Sequence, residues 1–241
     1  PGNTWLPLLT AAVTAAGFIG FLAKSYWLAA LAFAGVLLLA LRWAWSGPSL
    51  PARMQAAPGL ELPLHPHHPR PPGWWGMLMA LGADATIAAS LLFGYFFYWT
   101  VTPDWPPPTM PASNLPLGLA GLIQLAASSV LIMLGQRSGG HRGAALCALL
   151  ALLAASATLA GALAPGGIMP TRHAYDAIAT AFATWHGLHV LACLTVGAVL
   201  AWRRQAPERR GQWRIAALLW HYTVLQGLAL IGVLLLFPRL L

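Results

Sequence analysis

Four side chains able to hold or pass a proton lie inside apolar stretches of this sequence: Asp84, His186, His189 and His221, with Gln226 five residues beyond the last. His186 and His189 are three apart in TWHGLHV, so a helix projects both from one face, with Cys193 on the same stripe one turn later. That spacing suits a metal, yet two imidazoles do not complete a zinc site, which takes at least three protein ligands. The plainer reading is that these histidines hydrogen-bond neighbouring helices, contributing about 0.6 and at most about 2 kcal/mol per bond in lipid. The sharper one is that Asp84 and the histidine face form a buried acid and imidazole pair or network that includes His221. HPHHPR, with His65, His67 and His68, is a further histidine cluster, but no cysteine or carboxylate stands at ligand spacing beside it. Phosphate-cradling glycine loops, nucleophile elbows and HExxH or CxxC pairs are all missing, so the chemistry of soluble enzymes has no foothold.

The elements that must position these groups are membrane spans. Of the 241 residues 59% are hydrophobic and 7% charged, a composition that excludes a soluble domain. The stretch from Gly73 to Trp99 is apolar almost throughout and carries Asp84 near its middle. About 20 helical residues cross a bilayer core, so Asp84 sits near mid-depth. An aspartate there costs about 2.5 to 3.5 kcal/mol, and so is expected to face protein and to have a partner.

Hydropathy predicts seven spans, at about 5–23, 26–46, 74–100, 115–135, 143–164, 174–202 and 213–237. The expected fold is an all-α membrane protein: a two-helix unit over 1–47, a proline-rich connector over 48–73, and a five-helix bundle over 74–241. Loops two, four and six hold Arg42, Arg53, Arg70, Arg137, Arg142, Arg203, Arg204, Arg209, Arg210 and Arg214, which is ten of thirteen basic residues. The positive-inside rule then puts the N-terminus and the even loops in the cytoplasm, and the C-terminus outside. The net charge of +8 is explained by this bias, without nucleic acid as a partner. Asp84 and His189 lie about 10 and 13 residues from the cytoplasmic ends of their spans, a mismatch of only about 5 Å at 1.5 Å per residue. Trp74 and Trp75 begin the third span beside Arg70, giving an indole pair next to a guanidinium that binds phosphate in a bidentate manner. A phospholipid is expected there, between the first two helices and the other five.

These residues also carry a resemblance. WHGLHV at 185–190 resembles the FHGLHV of subunit III of the haem-copper respiratory oxidases, the cytochrome c oxidase family, and Trp220-His221-Tyr222 resembles that family's WHF. GADATIAASLLFGYFFYW is similar to the family's third helix, with Asp84 in place of the usual glutamate. The flanking HPRPPGWWG and TVTPDWPPP look like versions in which subunit III is fused to the end of subunit I, which fits a chain that opens on Pro1. Two departures stand out: Val224 and Arg214 occupy positions where the family commonly has acids.

What the resemblance implies is a non-redox subunit in the inner (plasma) membrane. Haem and copper would lie in partner subunits I and II, and cytochrome c or quinol would be met through them. The chain itself would hold no cofactor but phospholipid and would support proton uptake and sustained turnover. Two other readings of the buried polar groups stay open: an independent proton or solute transporter, and an intramembrane metal enzyme built on His186, His189 and His221.

Overall fold

A computed structural model describes residues 5–45, 53–63, 72–108, 113–137, 142–166, 169–202 and 209–240. Arg70, His65, His67, His68, Arg203 and Arg204 lie outside the described residues. The described chain is helical apart from one short hairpin. Its helices are α1 (Leu6–Leu22), α2 (Tyr26–Trp45), α3 (Pro72–Val101), α4 (Leu115–Arg137), α5 (Arg142–Leu163), α6 (Ala174–Trp202) and α7 (Arg209–Leu236). Five of them, α3 to α7, are long and apolar enough to cross a membrane. In a bilayer every backbone polar group needs a partner within its own segment, which long apolar stretches meet by becoming helices. The apolar helices α1 and α2 are shorter, over Leu6–Leu22 and Tyr26–Ala40 among the described residues.

The chain divides into two compact units, Pro1–Pro66 and His67–Leu241. In the first, α1 and α2 form a helical hairpin. Lys24 turns the corner at φ 55°, and Ser25 N–H returns to the Gly20 carbonyl at 2.8 Å, the cap by which a helix closes its open carbonyls. Gly20 lets the two backbones meet: a Cβ there would lie 3.0 Å from the Ala29 amide nitrogen. Small residues at such crossings are how apolar helices gain packing when no hydrophobic force separates them from lipid.

The region expected to be a proline-rich connector holds two strands. Two antiparallel strands, β1 (Arg53–Ala57) and β2 (Leu60–Pro63), pair Met54 with Leu62 and Gln55 with Glu61. The turn between them contains Pro58 and Gly59, with Gly59 at φ 82°. Proline followed by a left-handed glycine is the pair a tight reverse turn selects, so the signal for this hairpin was present in the sequence.

In the second unit α7 is the hub, packed against α3, α4 and α6, while α5 packs between α4 and α6. Glycines and alanines bring α4 close to its neighbours: a Cβ on Gly121 would stand 2.7 Å from Leu159 of α5, and one on Gly118 2.6 Å from Leu235 of α7. Buried polar side chains then join the helices. Trp220 Nε1 donates to Ser128 Oγ at 3.2 Å, and Gln136 Nε2 donates to the Trp213 carbonyl at 3.0 Å. Thr223 donates to the Leu219 carbonyl, so the hydrogen between Cys193 Sγ and Thr223 Oγ1, 3.2 Å apart, belongs to the thiol. Beyond the end of α3, Trp105 is buried among Tyr95, Tyr98, Tyr175 and His173, with ring centroids 5.2 to 6.1 Å away. The proline-rich segment that no helix can accommodate is thereby fastened to α3 and α6.

Candidate functional site

Asp84 of α3 is partly buried against α6 and α7. Its Oδ2 lies 3.2 Å from His189 Nε2 of α6 and also accepts a hydrogen bond from the Tyr222 hydroxyl of α7. Three helices thus converge on one carboxylate oxygen. The imidazole of His189 is held between two rings, with centroids 5.7 Å from Trp185 and 5.7 Å from Tyr222. Its other nitrogen, Nδ1, is 2.9 Å from the Trp185 carbonyl one turn back. A carbonyl only accepts, so Nδ1 carries hydrogen and Nε2 is the atom that faces the acid.

That assignment decides what the group can do. A hydrogen bond between His189 Nε2 and Asp84 Oδ2 takes one proton on the line between them. On the nitrogen, it makes an imidazolium and a carboxylate whose Oδ2 takes two donors; on the oxygen, it makes a neutral pair. An ionised carboxylate has room for both donors, and each charge-assisted bond is stronger than a neutral one. The side chains of Asp84 and His189 are 17% and 14% exposed, so the pair sits at the edge of the bundle.

The other histidines go elsewhere. His186, one turn from His189 towards the start of α6, is buried, and neither ring nitrogen makes a hydrogen bond. His221, expected in the same network, instead hydrogen-bonds Ser129 of α4 through Nδ1. The physical reason is angular: on a helix, neighbours in sequence point about 100° apart, so His221 and Tyr222 face different helices. Tyr222 therefore does what the sequence suggested for His221. Among the described residues, no three His, Cys, Asp or Glu side chains come together as metal ligands would. Trp74 and Trp75 pack edge to face at 4.9 Å at the start of α3.

Tyr222 is the member of this site that sequence reasoning missed. Tyr222 had one signal: a tyrosine beside a mid-span histidine, carrying a hydroxyl that must find a partner once it leaves water. Comparison with protein-family models found no match to this chain, and comparison with curated proteins found none either.

Proposed function

We propose that the chain is a non-redox subunit III of a proton-pumping terminal oxidase, crossing the inner membrane seven times with its N-terminus in the cytoplasm. The observation that carries this reading is the meeting of Asp84 with His189 at 3.2 Å. The acid of the third helix and the second histidine of WHGLHV are far apart in sequence, and both belong to motifs that carry the resemblance. A group holding one shared proton at the bundle's edge suits a subunit that supports proton uptake while haem and copper sit in subunits I and II. Electrons from cytochrome c or quinol would enter through those partners. Trp74 and Trp75, an indole pair at the start of α3, suit a phospholipid headgroup near the cytoplasmic side.

Purification of the chain with its neighbours tests the assignment. Haem absorbance is expected in the complex and none in the separated chain. Proton uptake by vesicles containing the chain alone would overturn the reading in favour of a transporter. For orientation, single cysteines in the segment 203–208 are expected to resist membrane-impermeant reagents added from outside, and labelling there would reverse the topology.

A further inference from the structure

His173 ends the segment that leads into α6 and lies just outside the membrane span Ala174–Ala198. Its ring turns back on its own chain: the Tyr175 backbone N–H donates to His173 Nδ1 at 3.1 Å. The His173 carbonyl accepts the first bond of the helix, from the Ala177 N–H at 3.1 Å. A residue that does both is the N-cap of α6, closing one of the amides that the first turn of a helix leaves open. The usual caps are serine, threonine, aspartate and asparagine, whose oxygens go on accepting near neutral pH. An imidazole nitrogen stops accepting once it takes a proton.

A backbone N–H only donates, so Nδ1 is bare and the hydrogen of the neutral ring is on Nε2. Protonation fills Nδ1 and sets an N–H against the Tyr175 N–H. It also adds a positive charge at the end of the helix where the peptide dipoles are already positive. Both effects act in one direction: the cap is present while the ring is neutral and is lost as pH falls. The other charged and titratable groups at this end are few. On the same turn Arg172 Nε is paired with Asp176 Oδ2 at 2.8 Å, with the Asp176 side chain fully buried. From the other elements come Tyr95 and Tyr98 of α3, Asp104 beside Trp105, and Arg239 beyond α7, which donates to Ser113. Tyrosine and arginine keep one charge between about pH 5 and 8, the range in which an imidazole changes its own.

The first turn of α6 is also a wall of the aromatic cluster. Tyr175 packs on Trp105 with centroids 5.2 Å apart and on Tyr95 at 6.2 Å, and the His173 ring lies 6.1 Å from Trp105. We propose that His173 is an acid-released cap: neutral, it closes the first turn of α6 and holds Tyr175 against Trp105; protonated, it frees the Tyr175 amide and loosens that wall. The device is built from this chain's own residues and does not rest on the oxidase reading.

NMR of the full chain in lipid bilayers, with histidine rings and backbone amides labelled with ¹⁵N, tests it directly. At about pH 8 the expected result is a nitrogen-to-nitrogen correlation across the hydrogen bond from the Tyr175 amide to His173 Nδ1, with the ring hydrogen on Nε2. At about pH 5 that correlation is expected to vanish. Protection of the Tyr175 amide from hydrogen exchange should fall about fivefold with the same midpoint as the ring, the change that loss of a typical cap amounts to. Hydrogen on Nδ1 at the higher pH, or Tyr175 protection that stays level while the ring takes up its proton, would overturn the proposal. His173→Asn supplies an acceptor that does not titrate, so Tyr175 is expected to stay protected at both pH values. Acid loss that persists in this variant would assign the effect to Asp104 or Asp176 and sink the idea. The wild-type titration decides alone if the variant does not fold.

Discussion

α3 and α7 are close in length, and both are apolar enough to span a bilayer, yet they are held in the protein in opposite ways. Of the most apolar stretch of α3 6% is buried inside the protein, against 61% for α7. Wide burial fastens α7: Trp213, Trp220, Thr223, Leu230, Ile231 and Leu235 are all almost fully covered. α3 is fastened at fewer points, by Asp84 at its middle, by Leu81 and the partly buried Met77, Leu91 and Leu92, and by the rings of Tyr95, Phe96 and Trp99 near its end. In lipid this difference is permitted, because the hydrocarbon is as apolar as any partner helix and an exposed leucine carries no penalty. A helix can therefore belong to the bundle through a few contacts along one side. Mutations should then act on α3 through its fastening points and on α7 almost anywhere along its buried face.

The largest effect is expected at the aromatic end. Trp105→Ala removes a ring packed on Tyr95, Tyr98 and Tyr175 and should cost about 3 to 5 kcal/mol, the range for truncating a buried aromatic. Thermal unfolding in detergent measures it. A loss below about 1 kcal/mol would mean that α3 is held by something other than its end. Next comes α7 itself, where Gly227→Ala would drive a methyl into His186 and Leu125, with Leu125 Cδ2 only 2.7 Å from the new Cβ. Overpacking of this kind costs about 1 to 3 kcal/mol.

At the polar fastening point the effect should be smaller still. Asp84→Asn keeps an acceptor for the Tyr222 hydroxyl and removes the exchangeable proton from the His189 line. The expected loss of stability is about 0.6 to 2 kcal/mol, the worth of a hydrogen bond between helices in lipid. If the chain serves an oxidase, haem content and initial rate should stay near normal, while lipid retention or sustained turnover falls. Complete loss of activity at full haem occupancy would instead make Asp84 an obligatory proton carrier.

The same contrast explains what the sequence makes legible. The seven helices are readable because helix formation in lipid depends on apolar length, which hydropathy measures. α3, for example, runs from Pro72 to Val101 against a predicted 74–100. Which side of each helix is buried is not readable, since lipid-facing and protein-facing residues are equally apolar and no amphipathic stripe marks the core. For that reason Asp84 and His189 stand out as costly groups needing partners, whereas Tyr222 passes for one more aromatic and His221 for a member of the wrong group. The Met54–Leu62 hairpin is hard to see for another reason: prolines surround it, and its sequence signal is the Pro58-Gly59 turn alone.

The smallest effect is expected at Gly82, two residues before Asp84, and it tests the comparison at its weakest link. A Cβ built there meets nothing within 4 Å. Alanine is favoured over glycine in a helix by up to about 1 kcal/mol, chiefly because glycine loses more backbone freedom on folding. Gly82→Ala should therefore leave the unfolding temperature of the chain unchanged or slightly raised, whereas the same change at Gly227 lowers it. The pair of substitutions is chemically identical, so their difference reports only the surroundings of the two helices. If Gly82→Ala lowers stability as much as Gly227→Ala does, the open face of α3 is in contact with protein after all, and fastening at a few points is not how α3 is held.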